Sequence, residues 1–160
     1  MPGFEWIDGE GKDAVMAVFD EGGVLFAHGF DGMRKHFHIR EFEQKAQEYF
    51  QVKHCLAVAS GTAAIKVALK SVGVQPGDEV ITQSFTFIAT IEAILDIGAT
   101  PVVVDIDDTL NICPKSLETA ITDKTKVILP VHMMGATADM DSVIALATKH
   151  RLKVLEDTAQ

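Results

Sequence analysis

From His54 onward, short apolar runs alternate with amphipathic stretches. CLAVA (55–59), EVITQ (79–83), PVVVDI (101–106), KVILPV (126–131) and KVLED (153–157) are β-branched and predict strands. Between most of them, residues 61–72, 87–97, 114–121 and 139–150 repeat apolar positions at helical spacing. The punctuation agrees: Gly73 and Pro76-Gly77 follow one helix, Gly98 another, and Pro114 opens a third. Strands that are apolar throughout and separated by helices predict βαβ units. The fold class is therefore α/β, with a mostly parallel sheet covered by helices in three layers. The last strand is placed only at residue 157, so within these residues the sheet is expected to be incomplete, as in a truncated domain.

The first fifty residues differ. Residues 10–20 predict an amphipathic helix with Val15, Val18 and Phe19 on one face. An irregular, glycine-rich stretch with interleaved aromatics follows, EGGVLFAHGFDGMRKHFHI, and then a second helix over 40–50. The expected division is an N-terminal helical and loop segment, 1–52, and the first part of an α/β domain, 53–160.

Composition narrows the class. The chain has 160 residues, 48% of them hydrophobic, enough for a packed core. A formal charge of −9 argues against nucleic acid and anionic membrane as partners, since both repel an acidic surface. No apolar run approaches a membrane span, and the acidic N-terminus lacks a signal-peptide pattern, so the cytoplasm is the expected location. Cys55 and Cys113 form no CxxC pair and are expected to be reduced thiols.

In open α/β sheets ligands bind beyond the carboxyl ends of the strands, so the residues that follow each strand carry the chemistry. Ser60-Gly61-Thr62 runs straight into a helix. It is either an ordinary N-cap or a turn whose small residues let backbone N–H groups approach a phosphate. Phe85 and Phe87, after the second strand, are either core packing or a stacking face for a flat ring. His132, after the fourth strand, either contacts substrate or satisfies a loop carbonyl. Asp157 ends a buried apolar strand, where an acid requires a cation, and no lysine or arginine stands beside it in sequence. A protonated pyridine nitrogen would serve. Gln160 lies on the same loop. The spacing of His36 and His38 occurs in metal sites, but no carboxylate or thiol motif accompanies it, and no metal is expected. Arg34, Lys35 and Arg40 form a small basic cluster, read as a solvated patch or a face for an anionic substrate.

In this order, REFEQKAQEYFQVKH, AVASGTAAIKVAL, PGDEVITQSFTFIATIEAIL, GATPVVVDID, TKVILPVHMMGATADMD and KVLEDTAQ resemble the sugar aminotransferase family of fold-type-I pyridoxal-phosphate (PLP) enzymes, the DegT/DnrJ/StrS family. The resemblance runs from about residue 24 to residue 160. It implies the PLP-binding large domain of that fold, with PLP as cofactor. Ser60, Gly61 and Thr62 match the phosphate-binding turn, Phe87 the aromatic that stacks on the ring (with Phe85 a second candidate), Asp157 the acid on the ring nitrogen, and Gln160 a residue on the ring's hydroxyl side. The Schiff-base lysine is expected beyond Gln160, so none of these residues is catalytic in that sense. Lys66 and Lys153 stand at no matching position.

The implied activity is transfer of an amino group from glutamate or glutamine to a keto-sugar, nucleotide-linked or of keto-octulosonate type, by a homodimer. The chain by itself is expected to show no transaminase activity and to bind PLP at most weakly. Rival readings are a PLP-dependent sugar dehydratase of the same family, a nucleotide-dependent oxidoreductase, disfavoured because no glycine fingerprint follows a strand, and a non-catalytic fragment or binding homologue.

Overall fold

The computed structural model describes residues 8–26 and 29–160. The chain divides into two compact units, Met1–Ala57 and Val58–Gln160, a few residues beyond the expected boundary.

In the first unit, α1 (Gly9–Asp20) is opened by Asp8, whose carboxylate accepts the Gly11 N–H at 3.1 Å. A 3-10 turn (Asp31–Met33) precedes α2 (His38–Phe50), which starts two residues before the expected helix. Glu43 on α2 is buried and accepts the N–H of Ala57 at 2.9 Å. Two members of the basic cluster, Arg34 and Arg40, make contacts within the unit. The guanidinium groups of Arg34 and Arg40 lie 4.6 and 4.5 Å from the centre of the Phe37 ring, and Arg40 also binds both carboxylate oxygens of Asp31. His36 and His38 stack, and His36 Nε2 lies 3.3 Å from Glu21. Among the described residues no three metal-ligating side chains come together. Phe19, Phe42, Tyr49 and Phe50 are exposed.

The second unit runs α3 (Gly61–Ser71), β1 (Glu79–Gln83), α4 (Ile88–Asp96), β2 (Thr100–Val104), α5 (Pro114–Ala120), β3 (Thr125–Leu129), α6 (Met140–His150) and β4 (Lys153–Val154). The sheet order is β2-β1-β3-β4, with every pair parallel. Side chains alternate across the central strands as the pleat requires. Val80, Val127 and Leu129 join Leu69 of α3 and Ile94 of α4 in one core. Ile81 and Ile128 join Leu117 of α5 and Val143 of α6 in the other. Two cores on opposite faces of one sheet make three layers. The chain steps from β1 to β2 through α4 on one face, then reverses and returns past β1 through α5 and α6 on the other. That is what right-handed crossovers demand of a change in direction.

Local chemistry sets the element ends. Ser60 caps α3, Pro114 occupies the first turn of α5, and Asp139 caps α6. Gly98 joins α4 to β2 at φ +79°, and a Cβ there would fall 3.1 Å from that of Pro76, so conformation and space both require glycine. No described helix is long and apolar enough to cross a membrane. Cys55 and Cys113 are free and half-buried.

Two strand expectations need correction. Residues 55–59 form no strand, and Leu56 and Val58 are exposed. The run has strand composition, but a strand exists only where a neighbour supplies ladder partners, and among the described residues it has none. The last strand is also shorter than 153–157. Only Lys153 and Val154 lie in a regular ladder, and the chain continues through single bonds from Leu155 N–H to Ile128 and from Asp157 N–H to Pro130.

Candidate active site

The order β2-β1-β3-β4 makes the gap between β1 and β3 the switch point, where loops leaving neighbouring strands diverge and open a crevice at their carboxyl ends. A cavity of about 280 Å³ at this edge is lined by Gly61, Ala64 and Ile65 of α3, by Leu129, and by residues 155–159. It brings the start of α3 and Asp157 to one place, although 96 positions separate Gly61 from Asp157 in the sequence. A larger polar cavity, about 440 Å³, lies at the opposite end of the sheet, between the loops that enter β3 and β4.

At the start of α3, Ser60 Oγ accepts the Ala63 N–H at 3.2 Å. The Gly61 and Thr62 N–H groups come too early in the helix to find an intrahelical acceptor, so they face outward with the positive end of the helix dipole. A Cβ on Gly61 would meet nothing within 4 Å, which leaves open space in front of the turn.

Asp157 is half-buried. Its Oδ1 accepts the Ala159 N–H at 3.1 Å and its Oδ2 accepts the Thr90 hydroxyl at 3.1 Å. Both donors are neutral, and no ion pair to Asp157 occurs among the described residues. Phe87 precedes α4 and is 71% exposed, whereas Phe85 is 42% exposed. Gln160 accepts the Met134 N–H through Oε1 at 3.1 Å. His132 has a partner at each ring nitrogen: Nδ1 accepts the Ala138 N–H at 3.1 Å, and Nε2 lies 2.9 Å from Glu156 Oε2. In this conformation neither nitrogen is open to a substrate. Because Nδ1 accepts, Nε2 carries the proton and donates to Glu156.

Three residues with a structural hold on the site were not singled out from the sequence. Gln83 is fully buried. Its amide donates to the carbonyls of Phe85 (3.0 Å) and Leu110 (3.2 Å), and its Oε1 accepts the Val131 N–H at 3.1 Å. Asn111, also fully buried, accepts the Met133 N–H at 2.9 Å and donates to Ala136. Thr90 binds Asp157. The available signal was the amide or hydroxyl itself, a polar group inside an apolar run, which is costly unless paired. Leu110 and Met134 hold left-handed backbone conformations (φ +64° and +56°) in the loops these side chains pin.

The residues fit a phosphorylated pyridine ring. A helix start with outward N–H groups and space before it suits a phosphate. A half-buried carboxylate with only neutral donors suits a protonated ring nitrogen. Among the described residues no lysine lines the cavity, and Lys66 on α3 is paired with Asp96 instead.

Residues 31–160 match the DegT/DnrJ/EryC1/StrS aminotransferase family. The chain is 49% identical over 122 residues to the spore coat polysaccharide biosynthesis protein SpsC of Bacillus subtilis, covering 76% of this chain and 31% of that protein. It is 45% identical over 123 residues to the UDP-2-acetamido-2-deoxy-3-oxo-D-glucuronate aminotransferase of Pseudomonas aeruginosa, covering 76% and 34%. The chain thus spans about a third of the length of these relatives. The crystal structure of NtdA from Bacillus subtilis with bound cofactor PMP superposes with a TM-score of 0.81 at 35% identity, over 96% of this chain and 34% of that one. With the α/β sheet, the helix-start turn and the strand-end acid in place, the chain belongs to the DegT/DnrJ/EryC1/StrS aminotransferase family.

Proposed function

We propose that the protein takes part in PLP-dependent amino transfer from glutamate or glutamine to a keto-sugar, as a cytoplasmic homodimer. The observation that carries this reading is Asp157, an acid without a described cationic partner, sharing a cavity with the free N–H groups at the start of α3. The names of the relatives support a sugar substrate and a PLP-type cofactor, and the exposed aromatics of the first unit suit a covered surface.

Ser60, Gly61 and Thr62 would hold the phosphate, Ser60 by shaping the turn and the other two through backbone N–H groups. Phe87 would stack on the ring, and Asp157 would hold a proton on its nitrogen. When bound, PLP supplies an electron-withdrawing ring that takes up charge as the substrate's C–H bond breaks. Gln160 braces Met134 at the rim, and His132 ties its loop to Glu156 and through it to the strand end bearing Asp157.

The test is a titration of the protein with PMP, and separately with NAD, followed by backbone-amide NMR. PMP should shift Gly61, Thr62 and Ala159, and NAD should not. Asp157→Asn should weaken PMP binding on the order of a hundredfold, since the ring nitrogen loses its charge partner at a half-buried site. Wild-type affinity in that variant, or NAD bound at these amides, would overturn the reading.

A further inference from the structure

Asp157 is held from a distance. Thr90, its hydroxyl donor, stands 67 residues earlier and is buried in the first turn of α4. A threonine inside a helix ordinarily turns its hydroxyl back to a carbonyl of the preceding turn. Thr90 instead reaches across to the loop after β4.

The order of protons follows from counting them. A hydroxyl has one proton, and an ionised carboxylate only accepts. Thr90 therefore gives its proton to Asp157 Oδ2. The 2.9 Å contact between the Thr86 and Thr90 hydroxyls must then run from Thr86 to Thr90. The same turn of helix begins at Phe87, whose carbonyl accepts the Thr90 N–H at 3.1 Å. One buried threonine thus binds the backbone of Phe87 through its own backbone and the acid through its side chain.

We propose that Thr90 is a positioning residue, with Thr86 as its hydroxyl donor. It fixes the rotation of the Asp157 carboxylate toward the nitrogen of a pyridine ring and keeps that carboxylate in register with Phe87. The inference rests on the function proposed above. A carboxylate with only the Ala159 N–H left to hold it turns about its Cβ–Cγ bond and loses its aim. Valine has the shape of threonine without the hydroxyl, and serine keeps the hydroxyl.

The experiment compares dissociation constants for PMP and for its 1-deaza analogue, which has carbon in place of the ring nitrogen. Both are followed by amide NMR, and neither carries an aldehyde to react with surface lysines. Wild-type protein should prefer PMP. Thr90→Val should cut that preference about tenfold, the scale at which an outer-shell partner tunes its ligand, while Thr90→Ser retains it. In an Asp157→Asn background Thr90→Val should leave the ratio unchanged. Equal weakening of both ligands by Thr90→Val, or an unchanged ratio, would show a merely structural threonine and overturn the inference alone. If wild-type protein does not distinguish the two ligands, the functional reading fails and the inference with it. Should Thr90→Val fail to fold, Thr86→Val takes its place. It should lower the ratio about threefold, less than loss of the direct contact, and an unchanged ratio there overturns the proposal.

Discussion

Replacing Gln83 with leucine should be among the most damaging single changes in the second unit, although Gln83 is none of the residues proposed to touch cofactor or substrate. The side chain is fully buried, and its three hydrogen bonds join the loops after β1 and β3 and the turn at Leu110. Leucine is apolar and only about a methylene larger, so the main cost is polar. The Val131 N–H, in a buried residue, loses its acceptor and has no water to replace it, at about 2 kcal/mol. Phe85 and Leu110 are partly exposed, so their carbonyls can turn to water and each forfeits only about 0.5 kcal/mol. The total is about 3 kcal/mol, a large part of the roughly 5–15 kcal/mol typical of a folded domain. Urea unfolding followed by far-UV circular dichroism should show the midpoint falling with the slope preserved. Because Phe85 and Val131 stand in the loops that carry Phe87 and His132, PMP affinity should fall as well. A loss of less than about 1 kcal/mol would mean that the buried amide is not the pin it is taken to be.

Three further outcomes are expected. Gly61→Leu should leave the melting temperature nearly unchanged, because a side chain there meets open space, yet weaken PMP on the order of tenfold by blocking the phosphate. Lys66→Ala, which removes only an exposed pair with Asp96, should change affinity less than about twofold, and equal losses at both positions would indicate a helix defect. At α6, the hydroxyl and backbone N–H of Ser142 hold the Asp139 carboxyl below the usual carboxylate range. A depressed folded value means that its contribution to stability is complete above the ordinary aspartate range and is lost as pH falls through the folded value. The melting difference between wild type and Asp139→Ala should therefore be full near neutrality and vanish on acidification. A difference that survives full protonation would contradict this.

Most of the second unit could be read directly from the sequence. β1 runs over the residues its apolar pattern marks, and α3 to α6 end within about a residue of their expected limits, because periodicity, caps, Pro114 and Gly98 are local signals. The candidate residues after each strand were legible for a related reason: once strands alternate with helices, the carboxyl ends are where a ligand must lie. Other features depend on partners far away in the chain. The apolar run at 55–59 has strand composition, but a ladder needs a neighbour, and composition does not say whether one is present. His132 reads as a ligand contact or as the partner of a loop carbonyl, and the structure instead puts the Ala138 N–H and the Glu156 carboxylate at its two nitrogens. Gln83, Thr90 and Asn111 look like ordinary polar residues, and their importance comes from groups 22 to 67 positions away. The sequence by itself determined which residues form elements and which strand ends carry the chemistry, because those follow from bonds and side chains within a few turns. Only the tertiary structure decided which strands pair and which buried polar groups hold Asp157, Phe87 and His132 in place, because each hydrogen bond depends on a second group brought near by the fold.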